Sequence, residues 1–394
     1  KHQNYANALV NLSNLLVNEG LYEEAEPHLL KAKAIYKETL GEEHPFYANC
    51  LNSLSMLYLS LHRYNEAEVL KSEALLIIKN SVGETHERYA YFLGGTVSLY
   101  DALGKYDKAI ENTIRANEII KAKFGDKHRV YMDGLFNLAY FYTKKNNYKK
   151  AQELYLFTLK YYREQFSQYF ESMSENEQMA QYQILGNRFD NFNSFVMSYT
   201  KLFPKENHQQ LLTTCFDYQL FLKSLLLNKS INTRKAILNS NDTSLVNTYN
   251  RWVAVKQQIS GSFRDLDIQA SYWNMAEMEK EANKLEVFLK NKSQSFASHT
   301  DYTNKDIQAK LKINEAAITI IKEDLKINDT TSVTEYAALL LKKTDAFPTL
   351  VRIASTNDFE TTYVNDYINR MYDRVEDTDS YNRFWKPIAG KLMG

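Results

Sequence analysis

Gly41-Glu42-Glu43-His44-Pro45, Leu54-Ser55-Met56-Leu57-Tyr58 and Tyr64-Asn65-Glu66-Ala67-Glu68 together decide the fold, because landmarks within them recur every 42 residues. His2, His44, His86 and His128 form one column, and Tyr5, Tyr47, Tyr89 and Tyr131 a second. Leu9, Leu51, Leu93 and Leu135 keep the same interval, as do Tyr22, Tyr64, Tyr106 and Tyr148. Ala25, Ala67, Ala109 and Ala151 add a fifth column, and Gly41, Gly83 and Gly125 a sixth. Six columns at one period define an internal repeat, and periods of this length belong to stacked supersecondary units.

Each unit reads as two helices. In the second unit, helix A runs from Pro45 to Leu61, with Ala48, Leu51, Leu54, Ser55 and Tyr58 at helical spacing. A short turn at His62-Arg63 leads into helix B, which starts at Tyr64 and carries Ala67, Leu70, Ala74 and Ile77. Helix B ends at Val82-Gly83, where the glycine is expected to take a left-handed C-cap conformation. The repeated alanine lets helix B approach helix A closely, and the tyrosine three positions before it fills the adjoining space. Gly94 and Gly95 fall inside helix A of the third unit and should soften it. Pro27 lies near enough to the start of helix B in the first unit to be tolerated.

These motifs resemble tetratricopeptide repeats of the kinesin-light-chain type, whose units are longer than the common ~34 residues. The resemblance implies a mainly α protein, an α-solenoid with helix A lining its concave face. Such a groove receives a protein or peptide ligand, and Asn11, Asn52 and Asn137 are the candidate groove residues, each balanced against a role as plain solvated helix surface. The four histidines invite a metal reading, but packed helix layers stand about 10 Å apart, whereas zinc needs every ligand within ~2.1 Å of one ion. A helix-start residue repeated with its unit is the better account, and no metal or cofactor is expected.

Composition agrees with a binding protein. Hydrophobic residues are 44% and charged residues 24%, as in ordinary globular chains. Gly (12) and Pro (5) are scarce, which favours long helices. Lys plus Arg equals Asp plus Glu at 48 each, so there is no cationic excess for a phosphate backbone and no nucleic acid is expected. No apolar run reaches the ~20 residues of a membrane helix, so no membrane association is expected. Cys50 and Cys215 are far apart and form no disulfide framework, in keeping with a reducing, cytoplasmic location. The chain opens at Lys1 inside a helical pattern, which reads as a start in mid-repeat with no signal peptide.

The 42-residue period disappears after 160, although helical periodicity continues from 161 to 312 as degenerate repeats or a bundle. Leu202-Phe203-Pro204 breaks a first helix. A second passes through Leu212, Phe216, Leu220 and Leu227, and the polar stretch Asn228–Asn241 is expected to link it to the next. That next helix spans Leu245 to Ser260 and stops at Gly261, and a long amphipathic segment covers Ile268 to Ser295. From 313 to 394 the pattern changes. Ala316–Ile321, Tyr336–Leu341 and Thr349–Ile353 read as strands, followed by helices over Thr362–Arg374 and Tyr381–Leu392. Strands closing a helical chain mark the beginning of a small, partial α/β segment.

Phe170 to Gly394 resembles the opening part of the caspase-like CHAT family. The matching residues are Ser172-Met173-Ser174-Glu175-Asn176-Glu177, Leu222-Lys223-Ser224-Leu225-Leu226-Leu227, Asn314-Glu315-Ala316-Ala317-Ile318, Tyr336-Ala337-Ala338-Leu339 and Tyr381-Asn382-Arg383-Phe384-Trp385-Lys386-Pro387-Ile388. With the repeats, the chain resembles bacterial TPR-CHAT proteins of defence systems. That resemblance implies the sensing and partner-binding half of a cysteine protease. The family's His-Gly and its Cys after an apolar strand have no counterpart up to Gly394, so no enzyme activity is expected of this chain. The alternative is a repeat protein with an independent α/β cap and no protease relationship. Cys50 and Cys215 lie among packing residues and read as buried small side chains. The glycines after Gly134 are too scattered for a phosphate loop.

Overall fold

A computed structural model describes residues 2–169, 175–240, 242–262, 303–326, 332–355 and 386–392, with some positions between 277 and 292. The chain divides into two compact units, Lys1–Leu159 and Lys160–Gly394.

The first unit is a row of helical hairpins. They pair α1 (Gln3–Asn18) with α2 (Tyr22–Leu40), and α3 (Pro45–Ser60) with α4 (Tyr64–Val82). The third pairs α5 (Glu87–Gly94) and α6 (Val97–Ala102) with α7 (Tyr106–Phe124), and the fourth α8 (Arg129–Lys144) with α9 (Tyr148–Tyr169). The expected bounds of α3 and α4 hold to within a residue. α1 occupies the same register as α3. The repeated alanines are fully buried, and the hairpin arms approach closely there: Ser55 Oγ donates to the Ala67 carbonyl at 2.8 Å and Ser13 Oγ to that of Ala25 at 3.3 Å. α2 runs through Pro27 unbroken to Leu40.

The joints repeat as faithfully as the helices. Gly20, His62, Gly104 and Asn146 stand 42 apart at the turn between A and B, all with positive φ, from 57° to 80°. The residue after each donates its N–H to the carbonyl five positions back at 2.8 Å, from Leu21, Arg63, Lys105 and Asn147 to Leu16, Tyr58, Tyr100 and Tyr142, closing the helix end. After helix B, Gly41, Gly83 and Gly125 each have φ 86°, with ψ of 165°, 164° and 171°. This corrects the expected left-handed helical cap: the residues sit in the extended mirror region that only glycine occupies without strain.

Gly94-Gly95 does more than soften helix A of the third hairpin. α5 ends at Gly94, and the chain restarts as α6 at Val97. Two adjacent glycines remove helix propensity, and Thr96 Oγ1 donates to the Leu93 carbonyl at 2.7 Å across the gap.

The second unit begins with the last turns of α9 and continues with α10 (Glu175–Leu202), α11 (Gln209–Asn239) and α12 (Thr243–Ser262). Phe189, Phe192 and Val196 of α10 and Leu211, Cys215 and Phe216 of α11 are buried core residues. The expected link over Asn228–Asn241 is corrected: α11 runs through nearly all of it, because these polar residues include no glycine or proline to stop a helix. The Ile268–Ser295 segment and the Thr362–Arg374 helix lie largely or wholly outside the described residues.

A short helix, α13 (Asn304–Lys310), precedes three strands, β1 (Ala316–Lys326), β2 (Ser332–Lys342) and β3 (Thr349–Ser355). They form an antiparallel meander in the order β1-β2-β3, with Ile321 opposite Ala337 and Leu339 opposite Leu350. Strand alternation divides the faces. Ala338, Leu340 and Val351 pack with Ile388 of α14 (Lys386–Leu392). On the opposite face Lys223 of α11 donates to Thr319 at 2.8 Å, and Ser198 of α10 to Glu323 at 2.7 Å. Arg352 donates to the Met197 carbonyl at 2.5 Å and pairs with Glu335 at 3.2 Å, which also holds Lys201 at 2.9 Å.

Candidate protein-binding surface

Two columns of the A helices, holding exposed and half-buried residues, repeat with the register. Asn7, Asn49, Tyr91 and Asp133 occupy one column, and Asn14, Met56, Ser98 and Tyr140 another seven residues on. Positions i, i+4 and i+7 share one helix face, so Asn7, Asn11 and Asn14 line α1 together. In the first two hairpins Asn11 and Asn14 are exposed, with amides that both donate and accept, while Asn7 accepts from Tyr36 at 2.5 Å and Asn49 from Arg88 at 3.1 Å. The next two present Tyr91, Asp133 and Tyr140. Met56 and Tyr91 are large apolar side chains left exposed on this face, which a reading of polar groove positions alone does not reveal.

The three expected groove residues sit differently. Asn11 is exposed on α1. Asn137 is half-buried and shares its column. Asn52 is one residue earlier in the register, half-buried, and engaged: its Oδ1 accepts from Lys71 Nζ and its Nδ2 points to Met56 Sδ at 3.9 Å. Lys71 itself was not foreseen. It occupies the column of Leu29, Thr113 and Tyr155, all buried, and is buried too. Its Nζ lies 5.6 Å from the Phe92 ring centroid. A Cβ on Gly95 would come within 2.6 Å of that nitrogen, so the glycine that breaks helix A also makes room for the lysine. Burial pulls the Lys71 ammonium down to about 8. The signal available in the sequence was a single lysine in an otherwise buried column.

Neighbouring hairpins are tied by charge at the base of the array. Arg63 bonds Glu26 at 2.9 Å and Glu66 at 2.7 Å, and stacks 3.8 Å over the Tyr58 ring. Tyr58 donates to Glu26 at 2.9 Å. Lys105 takes the place of Arg63 in the next hairpin and meets Glu68 at 2.5 Å.

The repeated histidines are helix N-caps. His44 Nδ1 accepts from the Phe46 N–H and His86 Nδ1 from the Arg88 N–H, each at 3.1 Å. Among the described residues no group of His, Cys, Asp or Glu is arranged to hold a metal ion, and no helix is long and apolar enough to cross a membrane. Cys50 donates to the Leu29 carbonyl and Cys215 to Asn193 Oδ1, both at 3.3 Å. Burial pushes the Cys50 thiol up to about 12 and the Cys215 thiol higher still, the opposite of what a thiolate nucleophile needs.

Comparison with known proteins gives three findings. A search of curated proteins gives no match. Among solved structures, the chain is similar to a putative kinesin light chain with nearly identical TPR-like repeats from Podosopora anserina (16% identity, TM-score 0.43, covering 59% of this chain and 99% of that one). It is also similar to BtubC (BKLC) from P. vanneervenii (18% identity, TM-score 0.43, covering 60% and 82%). Finally, residues 4–79 match the tetratricopeptide repeat family, so the first two hairpins are tetratricopeptide repeats.

Proposed function

We propose that the chain is a protein-interaction scaffold whose A-helix face binds an extended or helical segment of a partner protein. The carrying observation is the exposed amide pair Asn11 and Asn14 on α1, which suits backbone N–H and C=O groups of a peptide. Met56 and Tyr91 supply apolar anchors beside it. A pulldown with the full chain and with a Met56→Asp/Tyr91→Ala variant tests this. A partner retained equally by both, or by a chain lacking residues 1–160, refutes the assignment.

The finer reading makes this scaffold the sensing half of a bacterial caspase-like CHAT protease acting in the cytoplasm, with residues 313–394 as the first strands of the protease fold. It is supported by the sequence likeness at Asn314–Ile318 and Tyr336–Leu339, which fall at β1 and in β2. Ser172–Ser174 and Tyr381–Trp385 of that likeness lie outside the described residues. The second reading, an independent cap, is favoured by the antiparallel meander with its own apolar cluster around Ile388. Expression of residues 303–394 separates them: an isolated fragment with cooperative unfolding favours the cap. A peptidase assay on the full chain should show no turnover, and cleavage lost on Cys50→Ala or Cys215→Ala would overturn the scaffold reading.

A further inference from the structure

One face of the sheet packs against α10 and α11, and strand alternation brings Thr319, Ile321 and Glu323 of β1 onto it together. All three are buried, Glu323 at only 6% exposure. Ala337 and Leu339 of β2, opposite Ile321 and Thr319, are fully buried beside them. Next to this apolar patch Glu323 stands directly opposite Glu335 in the antiparallel register, a like-charge placement that destabilises a strand pair. The nearby cations do not relieve it. Lys201 of α10 and Arg352 of β3 both bond Glu335, at 2.9 and 3.2 Å, and Arg352 also donates to the Met197 carbonyl. Lys223 of α11 is engaged with Thr319 at 2.8 Å. Among the described residues, Glu323 accepts only from the Ser198 hydroxyl of α10, at 2.7 Å. Two carboxylates therefore share one face, and the more deeply buried one has no cation of its own. Burial pushes its carboxyl above the ordinary value, and Glu335 adds to this, against Ser198, Arg352 and Lys201. A permanent contact between sheet and helix would be served better by an aliphatic residue there.

We propose that Glu323 is a proton-operated latch between the sheet and α10. Protonated, it keeps the Ser198 bond through its carbonyl oxygen, ceases to repel Glu335, and the contact closes. Ionised, it places a charge without its own counter-ion inside the contact. The sheet then lifts from α10 more often and uncovers Ile321, Ala337 and Leu339. The sign follows from proton counting. The folded chain holds this proton to higher pH than the unfolded chain, so the latch is tightest in acid and weakens as pH rises from 4.5 through the raised folded value. The device lies in the second unit and does not rest on the partner-binding reading.

Hydrogen–deuterium exchange of the full chain at pH 5.5 and pH 8, corrected for intrinsic exchange, tests this. In the parent, amides 319–323 of β1 and 196–202 of α10 should be about fivefold more protected at the lower pH. In Glu323→Gln, which mimics the protonated acid, they should keep the higher protection at both pH values. Ser198→Ala removes the hydroxyl that favours the ionised form and should enlarge the pH response of the parent. Equal pH responses in the parent and Glu323→Gln overturn the proposal, as does lower protection of Glu323→Gln than of the parent at pH 8. A Ser198→Ala response no larger than the parent's also overturns it, whether or not the glutamine variant folds.

Discussion

The second and third hairpins fill the same 42-residue register in two ways. α3 is one continuous helix, fixed to its partner by Ser55 donating to the Ala67 carbonyl. In the third hairpin the serine position is Val97, the helix breaks at Gly94-Gly95, and Asn112 reaches across to Thr96 at 3.1 Å instead. The repeat therefore conserves a packing outline rather than a bond. Where a side chain departs from its column, a neighbouring glycine absorbs it: Gly95 faces Lys71, and Gly134 faces Asn117, whose Oδ1 a Cβ would meet at 1.9 Å.

The largest effect expected is at Lys71. Replacing it with Met removes a buried cation and should stabilise the chain at pH 7 by about 3 kcal/mol, because burial pulls the ammonium from 10.5 down to about 8. The sign follows from proton counting. Between about 8 and 10.5 the folded state holds fewer protons than the unfolded state, so the parent gains stability as pH rises through that window. Below it both states carry the charge and the penalty is constant. Urea titrations across pH 7–11 should show the difference between parent and Lys71→Met shrinking with pH. A constant difference would mean that the lysine is not neutralised by burial.

Gly134→Ala comes next, at roughly 2 kcal/mol of destabilisation from overpacking against Asn117. Asn117 Nδ2 is buried without a hydrogen-bond partner, so Asn117→Ala should recover most of the loss in the double variant. A simple sum of the two single effects would show that the pair is not coupled. The smallest contrast lies among the caps. His44→Ala should cost about 1 kcal/mol and His44→Asn little, because Nδ1 caps the Phe46 N–H. His128→Ala should cost less, since that side chain makes no such bond. Thermal melts of the three variants rank them directly.

The hairpins were legible because their landmarks repeat, and the bounds of α3 and α4 followed from the Pro45 start and the Gly83 stop. The strands followed from β-branched runs at Ala316–Ile321 and Thr349–Ile353, although β1 and β2 extend well past the apolar cores that marked them. Lys71 was hidden because a charged residue in a buried column depends on Asn52 and Gly95, which pairwise spacing does not connect. The A–B turn column escaped notice because Gly, His, Gly and Asn look unrelated until their shared positive φ is seen. Polar composition over Asn228–Asn241 suggests a link, but without a glycine or proline the stretch stays helical to Asn239 in α11.

The glycines after each helix B act as a ruler. With φ and ψ repeating to within several degrees at Gly41, Gly83 and Gly125, each hairpin hands over to the next through the same glycine conformation. Position 167, the next mark on the ruler, is a serine. There helix B runs on for 22 residues instead of 19. The array stops counting where its glycine is missing, and a glycine at 167 would be the simplest way to make it count once more.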